Sequence, residues 1–188
     1  YMIHSVQFTS ILDTNVMFPV ITRDILLWFA HYDLYTPKWS KHIFDEWRDV
    51  MLRKGVSESE TQKRIDRVNQ AFPDALVQNY ESLIKFLSLP DEKDCHVLAA
   101  AIKINAHIIV TNNTKHFPTE TLAMYDLKTK TADDFLTDII DLNQDVAVEA
   151  FREMVLNKKN PELDEYEVLA MLRNNNLKQT ADYLHTLI

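Results

Sequence analysis

The amino-acid sequence predicts an α/β fold, with a mostly parallel central sheet covered by helices on both faces. Short runs rich in apolar and β-branched residues, such as Val6 to Leu12 and Ile108 to Thr111, alternate with stretches whose apolar residues recur at helical spacing. From Gln144 onward the pattern is helical throughout. We therefore expect residues 1–142 to form the α/β domain and residues 143–188 to form a C-terminal helical extension.

Length and composition indicate a globular protein of one domain with an appendage, or of two small domains. The chain has 188 residues, of which 46% are hydrophobic and 26% are charged, so it can bury a sizeable core. A single cysteine, Cys95, excludes an internal disulfide and fits a reducing compartment. No apolar run is long enough to span a bilayer and no signal-peptide pattern is evident, so we expect a cytoplasmic protein without a membrane partner.

The charge and the glycine content exclude several classes of function. A net charge of −8 argues against broad nonspecific binding to phosphate backbones. It leaves open a nucleic-acid enzyme in which bound metal ions offset a local cluster of acids. Gly55 is the only glycine in the sequence, which excludes a Gly-rich phosphate loop or dinucleotide fingerprint, because those motifs need several backbone positions without Cβ.

The first strand, Val6 to Leu12, ends at Asp13, and a second strand is expected over Leu34 to Pro37. An Asp that follows a strand is commonly a turn former, so Asp13 alone leaves a structural and a functional interpretation equally open. Ser40 is a suitable N-cap for the helix that follows. On that helix Glu46 flanks the apolar stripe, at about 100° from its centre, which fits either a solvated charge or a carboxylate tipped into a cleft.

The remaining elements follow from the same patterns. Residues 144–188 include a helix–turn–helix pattern around Asn174 to Asn176, but they carry five basic and eight acidic side chains, a net charge of −3. A DNA-reading module needs a basic face, so a helical hairpin for packing or partner binding is favoured. The other expected elements are a helix after Pro19, a polar helix from Ser57 to Ala71, a short helix over Tyr80 to Leu87, a helical turn over Thr119 to Met124, a strand over Tyr125 to Thr131 and a helix over Ala132 to Leu142.

The stretch from Pro90 to Pro118 combines a helix, a strand and polar side chains. Asp91 and Asp94 fall where a helix begins, because acidic side chains are favoured in a first turn. The run Ile108 to Thr111 is typical of a buried strand and ends in the polar loop that begins at Asn112. Sites in parallel α/β sheets form beyond the carboxyl ends of the strands, so we expect the acids to line a cleft.

Three separate elements place an acid near the same edge of the expected sheet: Asp13, Glu46 and Asp94, with Asp91 as a fourth candidate. Clustered carboxylates repel one another unless they are protonated or bridged by cations. Oxygen ligands suit Mg²⁺ or Mn²⁺, ions that activate water and neutralise the charge that develops during phosphodiester cleavage. Without an HExxH pair or paired cysteines, zinc is disfavoured. A phosphatase-like nucleophilic role for Asp13 is also disfavoured, because no second aspartate stands two residues on.

Four segments, together covering roughly residues 6–140, have an order and spacing that resemble a known family. They are Ile11–Val16, Ser40–Trp47, Leu89–Ala101 and Ile108–Pro118. The resemblance is to the PIN-domain ribonucleases, and particularly to the VapC-type toxins of bacterial toxin–antitoxin pairs. It implies a three-layer α/β/α sandwich around a parallel sheet, followed here by the helical extension, and an enzyme that hydrolyses RNA with Mg²⁺ or Mn²⁺.

The resemblance also implies roles for individual residues. By position, Asp13, Glu46 and Asp94 match the catalytic, metal-binding acids of the family. Asn15 and Thr111 match polar residues that support the site, and we add Asn113 to this supporting group.

One position departs from the family pattern. In the branch that this sequence most resembles, the fourth acid is an aspartate, and His116 stands in its place. A neutral imidazole can bind Mn²⁺ but is a poor ligand for Mg²⁺, so the second metal position is expected to be weak, selective for Mn²⁺ or missing. Asp91 or Glu92 could substitute as the ligand.

The resemblance implies partners as well. These are an RNA substrate, with transfer RNA among the candidates, a cognate antitoxin that fills the cleft, and a second copy of the chain. Contact with DNA is expected only through the antitoxin. The alternative is a catalytically degenerate PIN module that binds RNA or a protein without cleavage, and His116 is the residue that favours it.

Overall fold

The sheet of the protein consists of five parallel strands in the order β3-β2-β1-β4-β5, within the residues 8–188 that the structure, a computed structural model, describes. At the centre, Ser10 pairs with Pro37 on one side and with Ile108 on the other. Helices flank the sheet, and the predicted three-layer α/β/α sandwich is confirmed. The strands are β1 (Thr9–Leu12), β2 (Thr36–Ser40), β3 (Leu76–Val77), β4 (Ile108–Val110) and β5 (Lys128–Lys130).

Most of the described chain between the strands is helical. Two 3₁₀ turns, Glu92–Asp94 and Thr114–His116, lie next to the carboxyl ends of the strands and carry residues of the candidate site. The α-helices are α1 (Thr14–Met17), α2 (Val20–His31), α3 (Lys41–Arg53), α4 (Glu58–Ala71), α5 (Glu81–Ile84), α6 (Cys95–Lys103), α7 (Thr119–Ala123), α8 (Ala132–Leu142), α9 (Gln144–Leu156), α10 (Glu165–Asn174) and α11 (Lys178–Leu187). None of these helices is both long and apolar enough to cross a lipid bilayer.

Helix α3 begins where the sequence predicts and buries the predicted stripe. The Ser40 hydroxyl accepts a hydrogen bond from the backbone N–H of Ile43, which satisfies one of the free donors of the first turn. Ile43 and Trp47 are buried against the core. Because residues three and four apart share a helix face, this packing fixes the direction in which the flanking Glu46 points.

Several strand boundaries differ from the prediction. Strand β2 covers Thr36–Ser40 rather than Leu34 to Pro37, because its last residues pair with β3, which local patterns do not reveal. Leu34 belongs instead to the turn after α2, where its N–H donates to Phe29. In the first strand, β1 starts at Thr9, while Val6 and Gln7 lie outside the described residues.

The C-terminal helices share one hydrophobic core with the sheet. Helix α9 packs against α2, and α11 packs against α8 and α10. A buried carboxylate, Asp133 of α8, accepts hydrogen bonds from the backbone N–H groups of Gln179 and Thr180, so one helix caps the N-terminus of another. The helical region after residue 143 is therefore fastened to the rest of the chain by both apolar and polar contacts.

Candidate functional site

Asp13 stands directly after the central strand, with its side chain almost fully buried. Its backbone N–H continues the pairing with β4 by donating to the carbonyl of Val110, which brings Asp13 beside Thr111. One carboxylate oxygen, Oδ1, accepts from the N–H of Thr14 at 2.7 Å and so caps α1. The other, Oδ2, accepts from Asn15 Nδ2 at 2.6 Å and from Thr111 Oγ1 at 2.8 Å. The carboxylate is thus held by three donors at the end of the sheet.

The surroundings raise the pKa of Asp13 from its usual 3.8 to about 6. Burial is the main cause, because it penalises the charged form. Hydrogen bonds from Thr111 and Thr14 act in the opposite direction, while the nearby charges of Asp94 and Glu46 raise the pKa further. The three predicted catalytic acids are therefore close enough for their charges to interact. A cation bound nearby would stabilise the ionised form of Asp13.

The polar residues expected to support Asp13 form a closed network around it. Asn15 Nδ2 donates to Thr111 Oγ1 at 2.8 Å, and Asn15 Oδ1 accepts from the N–H of Asn112. The Thr111 hydroxyl donates to Asp13 and accepts from the N–H of Asn113 at 3.1 Å. Asn113 takes part through its backbone in this contact. The network fixes the orientation of the Asp13 carboxylate from the strand ends of β1 and β4.

Glu46 of α3 reaches the same region through its contact with Thr14. Its Oε2 accepts from the hydroxyl of Thr14, the residue that also donates to Asp13, and its Oε1 lies 3.1 Å from His96 Nε2. The side chain is 43% exposed. Burial acts to raise the pKa of Glu46, but the hydrogen bonds from His96 and Thr14 outweigh it and hold the pKa below its usual value. Of the two interpretations that the sequence left open, the structure agrees with a carboxylate turned toward the site.

Asp91, Asp94 and His116 form a second group of ligand atoms, all within 4.8 Å of one another. His116 Nδ1 lies 2.7 Å from Asp94 Oδ2 and 4.0 Å from Asp91 Oδ2. The other oxygen of Asp91, Oδ1, accepts from the N–H of Lys93 and caps the 3₁₀ turn before α6. Glu92 is exposed and does not belong to this group among the described residues. One carboxylate oxygen from each acid and one imidazole nitrogen could together hold a metal ion.

The sequence interpretation did not connect Glu46 with the histidines that lie behind it. His96 on α6 is buried, and its ring stacks on that of His42 with centroids 5.1 Å apart. His42 in turn contacts the hydroxyl of the buried Tyr80. The histidines lie 54 positions apart in sequence on different helices, so no motif spacing connects them. The sequence signal for His96 is its position two residues after Asp94, which fits either a place near the cleft or a helix-surface or capping role.

Comparisons with known proteins match both parts of the chain. A family model described as PIN domain matches residues 9–115, and one described as VapC50 C-terminal domain matches residues 132–186. A Mycobacterium tuberculosis protein named "Putative ribonuclease VapC50" is 51% identical over 53 residues, which is 28% of this chain and 31% of that relative. The alignment therefore spans less than a third of the relative's length. No solved structure matches the chain.

Proposed function

The chain belongs to the PIN-domain family, and on this premise we propose that it is a metal-dependent endoribonuclease, the toxin of a type II toxin–antitoxin pair. The observation that carries the proposal is the buried Asp13 carboxylate, held by three donors and lying in the field of Glu46 and Asp94. Such an arrangement destabilises an ionised acid unless a cation is present.

The donor set fits Mg²⁺ or Mn²⁺. Asp13, Glu46 and Asp94 offer carboxylate oxygens, which are the ligands that both ions prefer, and Asp91 and His116 extend the set. A bound ion would supply Lewis-acid stabilisation of the charge on the phosphate and favour ionisation of a water nucleophile. The chain's own contribution is to hold Asp13 through Asn15 and Thr111, so that the carboxylate needs no reorientation when RNA binds.

His116 supports a preference for Mn²⁺ over Mg²⁺, because imidazole nitrogen is a poor ligand for the harder ion. It also supports the second candidate function, a PIN module that binds RNA or a protein without cutting. His116 Nδ1 lies 2.7 Å from Asp94 Oδ2. An acid at position 116 could not donate to this oxygen and would leave it free to bind a cation. The nuclease and the binding module are distinguished by whether replacing His116 with an acid changes RNA cleavage.

The proposal includes partners and a division of the chain. The substrate would be RNA, with transfer RNA among the candidates, and the cognate antitoxin would cover the acidic site, with DNA contacted only through that antitoxin. A second copy of the chain would complete a homodimer, and the protein would act on RNA in the cytoplasm. Residues 1–142 would form the nuclease domain, and residues 143–188 the helical extension.

The test is cleavage of a labelled pool of total RNA and transfer RNA by the purified chain with Mg²⁺, Mn²⁺ or chelator. We expect cutting that requires metal, is faster with Mn²⁺ and is lost in Asp94→Asn. The matched control, Asp145→Asn, removes an exposed acid of α9 and should cut like the unmodified chain. No cutting by the unmodified chain together with cutting by His116→Asp would place the defect at His116. No cutting by either would favour the binding module.

A further inference from the structure

His96 lies behind Glu46 and outside the set of acids, and we propose that it is a positioning residue that orients the Glu46 carboxylate. The inference rests on the proposed function, since it assigns a task to His96 within the same site. Its side chain is only 7% exposed, although Glu46 itself is 43% exposed. Among the described residues, the buried imidazole makes its hydrogen bond to this half-exposed carboxylate, and the bond restricts the direction in which the carboxylate points.

The direction of the hydrogen bond is set by chemistry. The Glu46 side chain already accepts from the Thr14 hydroxyl through Oε2, and a carboxylate accepts hydrogen bonds and donates none. His96 Nε2, 3.1 Å from Glu46 Oε1, therefore carries the proton. The other ring nitrogen, Nδ1, is buried and has no hydrogen-bond partner among the residues that the structure describes. Among the described residues, the hydrogen bond of the His96 ring is therefore to Glu46.

The His96 ring is itself held in place. His42 stacks on it with an interplanar angle of 23°, and the Tyr80 hydroxyl lies 2.5 Å from His42 Nδ1. Tyr80 is 1% exposed and belongs to the core. The position of the Glu46 carboxylate is therefore connected to the core through two stacked rings.

Glu46 receives one donor on each oxygen. Thr14 Oγ1 donates to Oε2 and His96 Nε2 donates to Oε1, which together fix the plane of the carboxylate. Each oxygen accepts two hydrogen bonds at most in this plane, so one lone pair on each remains free for a cation. The N–H of Thr14 also donates to Asp13, so the same residue sets the spacing between the two acids. A partner that orients a metal ligand is commonly worth 10–100-fold in metal affinity or activity, on the order of what we expect from His96.

The test compares His96→Phe, which keeps a flat ring without a donor, with His96→Gln, whose amide nitrogen can replace Nε2. We expect His96→Phe to bind Mn²⁺ in calorimetry and to cleave RNA about 10–100-fold more weakly, with His96→Gln recovering most of the loss. The matched control is His185→Phe, which makes the same change on the exposed side of α11. In a Glu46→Gln background His96→Phe should cause little further loss, because the acceptor to be oriented has already been changed.

Two results would overturn the proposal. The first is Mn²⁺ binding by His96→Phe that equals that of the unmodified chain. The second is an equal loss on replacing His96 with and without Glu46, which would mean a purely structural role. If the unmodified chain binds Mn²⁺ but cuts no RNA, the nuclease proposal fails while the calorimetric test of His96 still decides.

A measurement on the unmodified chain guards against variants that do not fold. Two-dimensional ¹⁵N–¹H spectra of histidine-labelled protein distinguish the two ring nitrogens of His96. We expect a proton on Nε2, and its signal should shift in Glu46→Gln. A ring protonated at Nδ1 with a bare Nε2 would leave no donor for Glu46 and would refute the proposal.

Discussion

The free energy of unfolding of the metal-free protein should fall as the pH rises through the range in which Asp13 ionises. The pKa of this group is raised from 3.8 to about 6 in the folded chain, mainly by burial. A raised pKa means that the folded state binds the proton more tightly than the unfolded state does. The resulting contribution to stability is fully present below about pH 4 and is lost as the pH rises through about 6.

The size of the effect follows from the change in pKa. Each pKa unit corresponds to about 1.4 kcal/mol, so a rise from 3.8 to about 6 corresponds to about 3 kcal/mol in total. The interval from pH 4.5 to pH 8 covers only part of the range between the unfolded and folded pKa values of Asp13. The free energy of unfolding should therefore change by about 2 kcal/mol over this interval. Because Asp13 is 5% exposed, solvent screening reduces this figure little.

Asp13→Asn is the informative perturbation, because it removes the titration while keeping the shape of the side chain. The carboxylate accepts from three donors, two of them on Oδ2, and an amide has one acceptor oxygen. The variant therefore loses at least one hydrogen bond, at a cost of about 0.5–1.5 kcal/mol that does not depend on pH. The quantity to follow is the difference between the two proteins as the pH changes.

Urea unfolding in the presence of chelator measures this difference at pH 4.5 and pH 8. We expect the unmodified chain to lose about 2 kcal/mol relative to Asp13→Asn over this interval. Asp145→Asn, which changes an exposed acid, serves as the control and should show no comparable trend. A difference independent of pH would refute the raised pKa, and a difference of opposite sign would mean that the hydrogen bonds outweigh burial.

Adding metal tests the role of the Asp13 carboxylate in a second way. At pH 8, Mn²⁺ should stabilise the unmodified chain, by about 2.7 kcal/mol at a concentration 100 times its dissociation constant. Asp13→Asn should gain much less, because it lacks a charged ligand at the buried position. Equal stabilisation of both proteins would show that the ion binds elsewhere.

Three further predictions concern the framework and are read from urea unfolding with chelator. Asp133→Ala should cost about 2–3 kcal/mol, since it leaves the N-terminus of α11 uncapped, and a cost near zero would contradict the proposed fastening of the extension. Tyr35→Phe should cost about 1 kcal/mol through the buried hydrogen bond to the carbonyl of Leu26, and an unchanged midpoint would contradict it. Lys158→Met should cost about 1 kcal/mol through the pair with Asp24, less at high salt, and a salt-independent loss would point to packing instead.

The parallel sheet and the position of Asp13 at the end of its first strand could be predicted because they depend on local patterns. Apolar runs identify β1 and β4, and the geometry of parallel strands then brings Asp13 beside Thr111. Strand β3, Leu76–Val77, could not be predicted, because its two residues are defined only by pairing with β2. The same pairing extends β2 to Ser40, beyond the boundary that its own residues suggest.

The contacts of Glu46 show where periodicity stops being informative. The stripe of α3 places this acid at the edge of the buried face, which is as far as one helix can be interpreted alone. Its partner His96 belongs to α6, 50 residues later, and only the packing of the two helices makes them neighbours. The sequence therefore indicated on which side of α3 Glu46 lies, while its hydrogen bond to His96 could be identified only from the tertiary structure.

Because of His116, the part of the site around Asp94 differs from the part around Asp13 in how strongly it requires a cation. An acid at this position would add a repelling charge beside Asp94, whereas the imidazole lies 2.7 Å from its Oδ2 and interacts favourably with it. This half is therefore satisfied without a cation, and an entering ion has to displace that contact. Asp13 is held by neutral donors, which do not offset burial, and the charges of Asp94 and Glu46 raise its pKa further. The need for a cation is thus concentrated on Asp13, and the first ion to bind should be the one that offsets the repulsion between Asp13 and its neighbouring acids.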